Sequence, residues 1–264
     1  MDIRERLITL SIIKKGNWMA IYQVLKQDPQ LFQITDHTII NQVIKNEKVK
    51  VLTIIDEEYP NYLRQLEQPP FVLYYQGDLS LFNQRKVGVI GTTRPSSYGM
   101  RSCQTLVTQL LKEEVVIVGG LQLGIEAIAQ LISTKKGRTI AVLASGFHHI
   151  YPSENYDLYR TIANHHLVIS EYPPHVRIES TQFYMRNRLI TAISDVLMVI
   201  EVSKSTSMLN TAKRALYEGK AIYALPGEYN SLHSEGSLEL IKEGAQCLTN
   251  SKEVIEQLSL ICND

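Results

Sequence analysis

From residue 86 onward, short apolar runs rich in β-branched residues alternate with amphipathic segments, and few folds accept that pattern. The runs read VGVIG (87–91), VVIVGG (115–120), TIAVLASG (139–146), LVISEY (167–172), VLMVIEV (196–202), AIYALPG (221–227) and AQCLT (245–249). Segments with helical spacing lie between them, as at 100–112, 124–134 and 209–217. A strand that is apolar nearly throughout is covered on both faces, and strands separated by helices run parallel. The pattern predicts an α/β domain with a doubly wound, mostly parallel, Rossmann-like sheet.

Residues 1–55 read differently. Helical spacing at Ile3, Leu7, Ile8 and Ile12 breaks at Gly16-Asn17, resumes over 18–25 and is interrupted again at Pro29. Thr35-Asp36 offers a helix N-cap before a third stripe of Ile39, Ile40, Val43 and Ile44. These features predict a small all-helical N-terminal domain over 1–55, packed onto an α/β domain over 56–264. The lead-in to the latter, EEYPNYLRQLEQPPFVLYYQGD, predicts a short aromatic strand after Pro69-Pro70 and a turn at Gly77-Asp78.

Charge limits the function. Lysine and arginine together number 27, as do aspartate and glutamate, so the formal net charge is zero. Global electrostatics cannot draw such a chain onto DNA or a membrane, and any polyanion site must be local. No apolar run approaches the roughly eighteen residues of a membrane span. The start, MDIRERLITL, is not a secretory signal. Cys103, Cys247 and Cys262 form neither a disulfide framework nor a metal site, which fits a cytoplasmic protein.

In a doubly wound sheet, ligands bind beyond the carboxyl ends of the strands. Those ends carry Gly91-Thr92-Thr93-Arg94, Gly119-Gly120-Leu121, Gly146-Phe147-His148, Glu171-Tyr172-Pro173, Ser203-Lys204-Ser205-Thr206 and Pro226-Gly227. Loops of this kind need glycines and caps in any protein, but six together indicate one binding edge. Gly91 to Arg94, with the hydroxyls of Ser96 and Ser97 and a following helix, would suit phosphate. Neither G-x-G-x-x-G nor G-x-x-x-x-G-K-[ST] occurs, so a nicotinamide enzyme and a P-loop NTPase are both disfavoured, and no cofactor is expected.

Local charge is uneven. Residues 85–111 hold Arg85, Lys86, Arg94 and Arg101, residues 180–194 hold Arg186 and Arg188, and residues 203–217 hold Lys204, Lys213 and Arg214, all without an acid. Tyr98, Phe183 and Tyr184 lie beside these cations. Cations interleaved with aromatics suit single-stranded DNA, whose phosphates pair while its bases stack. Alternatively, Glu171 and Glu201, at the ends of strands taken to be neighbours, neutralise Arg186 and Arg188. Those glutamates also leave room for acid–base chemistry, although no Ser-His-Asp or Cys-His order is marked and the histidines fall mostly in turns.

Eight stretches in collinear order carry a family resemblance: 59–79, 87–99, 115–130, 139–155, 167–174, 182–194 (QFYMRNRLITAIS), 211–227 and 234–245. Through them the chain resembles the bacterial DNA-processing protein A family (DprA, or Smf). The resemblance implies an extended Rossmann-like domain, single-stranded DNA binding, homodimerisation, and loading of the RecA recombinase in natural transformation. It implies DNA-binding roles for Gly91, Thr92, Thr93, Arg94, Ser96, Ser97, Gly120, Phe183, Arg186, Asn187, Arg188, Thr206 and Ser207. Some members end in a winged-helix domain, for which no residues are expected here. Val254, Ile255, Leu258 and Ile261 form an apolar stripe suited to a dimer contact or to the chain's own core.

The departures lie in the pocket. The family's Gly-Ser-Arg reads Gly91-Thr92-Thr93, with Arg94 one place late. Leu123 stands for a basic residue, Gln130 for a histidine, and Ser180 for a lysine found in some members. The competing reading on the same fold is a nucleotide-binding or nucleoside-phosphate-hydrolysing enzyme of the lysine-decarboxylase-like type. Its Pro-Gly-Gly-x-Gly-Thr-x-x-Glu pattern is missing, since the region after the fifth strand is VSKSTSMLNTAKRA.

Overall fold

The apolar runs form strands β1 (Lys50–Thr53), β2 (Val72–Gly77), β3 (Lys86–Gly91), β4 (Val116–Gly119), β5 (Arg138–Leu143), β6 (Leu167–Ser170), β7 (Val196–Ile200), β8 (Ala221–Ala224) and β9 (Gln246–Cys247). This architecture comes from a computed structural model that describes residues 2–27, 35–45, 48–204 and 206–261. Pro29, Ser205 and Cys262, singled out above, lie outside the described residues. One sheet holds all nine strands, in the order β1-β2-β6-β5-β4-β3-β7-β8-β9. From β6 to β9 every pairing is parallel, while β2 runs antiparallel to β6 and β1 antiparallel to β2. The fold is therefore the Rossmann-like α/β sheet that the alternation predicts, extended on one side by an antiparallel pair.

The helices are α1 (Ile3–Ile13), α2 (Trp18–Gln27), α3 (His37–Ile40), α4 (Asn61–Arg64), α5 (Ser97–Leu110), α6 (Ile125–Lys136), α7 (Tyr156–His165), α8 (Ser180–Ile193), α9 (Ser207–Tyr217), α10 (Glu235–Lys242) and α11 (Ser251–Ile261). Side chains on successive strand residues point to opposite faces. Accordingly Val87, Val89, Val196 and Met198 pack with Cys103, Leu106 and Ile125 of α5 and α6. Ile90, Leu197 and Val199 pack on the other face with Leu189 and Ile190 of α8 and Leu240 of α10. Both faces are apolar because both are covered. Val254 and Leu258 of α11 are fully buried in the first layer, while Ile255 is half-buried and Ile261 exposed, so part of that apolar stripe closes the chain's own core. Burial of Cys103 there pushes its thiol up to about 12, which leaves a packing residue and not a nucleophile.

The N-terminal helices dock on the antiparallel edge. Leu7 of α1 packs with Val49, Val72 and Tyr74. Arg4 pairs with Asp56 at 3.0 Å and donates to the Val51 carbonyl, and the Trp18 indole donates to the Pro69 carbonyl at 2.8 Å. Asp36 caps α3 through the amides of Thr38 and Ile39, as its sequence position predicts. Lys50–Thr53, within the segment expected to be all-helical, is a strand of the main sheet. Its run KVLT is too short for periodicity to mark, and pairing with β2 decides its state. Among the described residues, no helix is long and apolar enough to cross a membrane.

His166, which caps the C-terminus of α7, is 4% exposed. Burial, then Arg138 and His165, lower its pKa, with the Thr134 carbonyl opposing. The unfolded chain therefore takes up the proton first, near the ordinary value of about 6.5. The stability tied to neutral His166 is complete above that pH and is lost as pH falls through the lower folded value. A His166→Leu variant should show a flatter fall of unfolding free energy between about pH 7 and pH 5 in urea titrations.

Candidate nucleic-acid interface

The strand order reverses between β3 and β7. The chain steps outward from β3 through β4 and β5 to β6, then crosses back under α8 to β7 on the other side of β3. At such a point the two outgoing loops diverge and leave a crevice beyond the strand ends. Here it is a cavity of about 300 Å³, lined by Gly91, Thr92 and Thr93 after β3 and by Thr206 and Ser207 at the start of α9. Phe183, Arg186 and Asn187 of α8 complete it, because i, i+3 and i+4 positions share one helix face.

Arg186 is the cation the crevice is built on. Its side chain is 2% exposed, and its guanidinium donates to Glu126 Oε2 at 3.1 Å, where Glu126 is fully buried. The same oxygen accepts from the Gly120 amide at 2.7 Å. A Cβ on Gly120 would lie 1.1 Å from Arg186 Nη1, so only glycine leaves room for that guanidinium. Arg186 also lies over the Phe183 ring at 6.0 Å, and the Tyr151 ring meets Phe183 edge-to-face at 5.8 Å. Glu126 Oε1, Arg186 Nε and Asn187 Oδ1 are buried there without hydrogen-bond partners. Buried polar atoms left unpaired at a cavity are costly in isolation and suit an incoming polar ligand.

The loop after β3 is held differently from the phosphate cradle expected of it. The Glu201 carboxylate accepts from the Ser96 amide at 2.8 Å and from the Ser96 hydroxyl, so Ser96 is not free for a ligand. A Cβ on Gly99 would strike this carboxylate at 2.3 Å. Glu201 thus occupies the N-terminus of α5, where an anion is electrostatically favoured. Ser97 and Arg94 are exposed, and Arg94 forms no ion pair among the described residues. Thr93 lines the crevice, whereas Arg94 stands beside it in solvent.

Arg188 faces elsewhere, because two residues along a helix turn a side chain to the opposite side. It pairs with Glu171 at 2.6 Å and also donates to the Gln68 carbonyl. Burial holds the Glu171 carboxyl above its ordinary range, against the pull of Arg188. The expectation that Glu171 and Glu201 neutralise the two arginines therefore holds for Arg188 only. Strands β6 and β7 are not neighbours, and Arg186 takes Glu126. The sequence offered one signal for that partner: an arginine buried at the strand ends needs a carboxylate, and Glu126 lies in the first turn of α6, two residues after Gly124.

The predicted basic strip is interrupted. Lys86 is buried beside Asp195 at the opposite end of the sheet. Lys213 pairs with Glu239 and Glu243, and Arg214 with Glu67 and Glu218. A larger cavity of about 740 Å³ beside α4, α8 and α9 is lined by Arg188 and Arg214, whose charges are thus already balanced. Among the described residues no group of histidine, cysteine, aspartate and glutamate could hold a metal ion.

The model of the DNA recombination-mediator protein A family matches residues 50–259. The chain is 35% identical to the DNA processing protein DprA of Bacillus subtilis over 96% of its own length and 92% of that protein's. It is 34% identical to DprA of Streptococcus pneumoniae over 86% of this chain and 79% of that one. The X-ray structure of the Streptococcus pneumoniae protein superposes with a TM-score of 0.84 at 29% identity, covering 97% and 98% of the two chains. DNA processing protein A from Helicobacter pylori, whose structure is described for its single-stranded DNA binding mode, superposes at 0.72 with 33% identity over 80% and 95%. With the family model, the sequence identity and the superposition in agreement, the chain belongs to the DNA recombination-mediator protein A (DprA) family.

Proposed function

We propose that the chain is a non-enzymatic single-stranded DNA-binding recombination mediator of the cytoplasm, and that the crevice between β3 and β7 is its DNA site. The observation that carries this reading is Phe183 beside the buried cation Arg186, at the point where the strand order reverses. A ring face next to a guanidinium offers stacking to a base and hydrogen-bond donors to a phosphate within one cavity. Backbone around Gly91 to Thr93, the hydroxyls of Thr206 and Ser207, and the side chain of Asn187 surround it. Arg94 supplies a further phosphate contact from the rim. Gly120 acts by making room for Arg186, and Ser96, Ser97 and Arg188 shape the surroundings. The two carboxylates nearest the crevice are engaged by Arg186 and by Ser96, which favours a binder over an acid–base enzyme.

The bound strand is protected and handed to the RecA recombinase during transformation, with the mediator acting as a homodimer. Light scattering should give the mass of a dimer at micromolar concentration. Anisotropy titrations with labelled single and double strands, run beside a nucleotide-hydrolysis assay, test the reading. Preferential single-strand binding without hydrolysis supports it, and hydrolysis would turn it toward the nucleotide enzyme. Arg94→Ala should flatten the salt dependence of binding by about 0.7 in slope, the value for one phosphate of a single strand. Thr93→Arg, which restores a cation where the family carries one, should tighten binding and steepen the slope by a similar amount.

A further inference from the structure

Three segments beside the crevice, remote from one another in sequence, meet at the seam between the N-terminal helices and the sheet. They are the α1–α2 turn, the loop after β5 and the loop after β6. A Cβ on Gly16 would lie 2.7 Å from the Glu171 carbonyl and 3.1 Å from Pro173 Cδ, so the turn rests on the third segment. The loops are stitched together by Gly146 donating to the Val176 carbonyl at 2.8 Å and His148 donating through its amide to the Pro174 carbonyl at 2.9 Å.

Residues 13–17, 144–151 and 172–178 contain Lys14, Lys15, His148, His149, His175 and Arg177 and no acidic residue. The glutamates flanking the third segment are engaged: Glu171 pairs with Arg188, and Glu179 caps α8. The groups that act on His175 from the neighbouring segments are His148, Lys15 and His149, and after burial each of them lowers its pKa. His175 and Arg177 are exposed, and His149 is half-buried. A cluster of like-charged and protonatable groups stabilises nothing by itself, and it disfavours its own protonation until an anion arrives. The cluster also joins the crevice, because Tyr151, two residues beyond His149, is 49% exposed and meets Phe183 at 5.8 Å.

We propose that single-stranded DNA leaving the crevice continues over this seam, with Tyr151 bridging the two and Lys15, His149, His175 and Arg177 contacting its phosphates. The inference rests on the crevice being the DNA site. It adds a track beyond the strand ends and makes the grip on longer strands depend on pH. Phosphate contact favours the imidazolium, so binding takes up protons and tightens as pH falls through the histidine range.

Two labelled oligothymidylates separate the claims: one of about two or three nucleotides, confined to the crevice and its rim, and one of about twenty-four, which exceeds a typical single-fold site. The long strand should bind roughly tenfold tighter at about pH 6 than at about pH 8, with a salt slope steeper by about 0.7 per added contact. Affinity for the short strand should stay level. The double variant H149Q/H175Q should remove the pH response of the long strand while leaving the short strand unaffected. R177Q, on an exposed side chain, should flatten the long-strand slope alone, and melting temperatures of both variants should match the parent. If the short strand binds but the long one gains nothing at low pH, or if its gain survives H149Q/H175Q, the track is wrong and the crevice stands. If the parent binds neither strand, both fall.

Discussion

Replacing Arg186 by methionine should destabilise the fold by about 3–5 kcal/mol, the cost of leaving one partner of a buried ion pair uncompensated. Glu126, fully buried, would lose its cationic partner and be left with only the amides of Gly120 and Gln122 as donors. Gly120→Ala should produce a similar loss by another route, because the added methyl would occupy the place of the guanidinium. Pairing Arg186→Met with Glu126→Leu removes both charges and should recover part of the loss. Recovery stays incomplete, because the Gly120 amide then loses its acceptor, at about 1–3 kcal/mol for a buried donor. Urea denaturation of the two single variants and the double closes this cycle. Equal stability of Arg186→Met and the parent would mean that the pair does not hold the strand ends together.

Phe183→Ala should weaken single-strand binding by about 1–3 kcal/mol, the range for one stacked base, with the salt slope unchanged. The unchanged slope is the discriminating part, since loss of a phosphate contact must flatten it. The ring is half-buried and touches Arg186 and Tyr151, so its removal opens space at the rim and not in the core. A melting temperature close to the parent's should accompany the weakened binding. A flattened slope would instead mean that losing the ring lets Arg186 move off its phosphate.

The sheet was legible because its strands are apolar on both faces and its crossovers are amphipathic helices, and both patterns follow from burial alone. The antiparallel β1 was not, since Lys50–Thr53 takes its state from β2 and from no signal of its own. In the site, Phe183, Arg186 and Asn187 come together because helical spacing carried that information before the structure did. Pairings across the fold carried none: Glu126 with Arg186 and Glu201 with Ser96 join residues 60 and 105 positions apart. Charge runs misled for the same reason. Lys213 and Arg214 look free in an acid-poor segment but meet Glu239, Glu243 and Glu67 from elsewhere in the chain, with Glu218 one turn on. Val254 and Leu258 show the complementary limit, since a stripe that could face a partner faces its own sheet equally well until the packing is known.

Amide hydrogen exchange with and without a single-stranded oligonucleotide tests the location of the DNA site most directly. Protection should appear at residues 91–94, 180–187 and 206–209, around the reversal of strand order. The cavity lined by Arg188 and Arg214, beside α4 and α9, should exchange as in the free protein. Protection confined to that cavity or to helices α1 and α2, with the strand ends unchanged, would contradict the account.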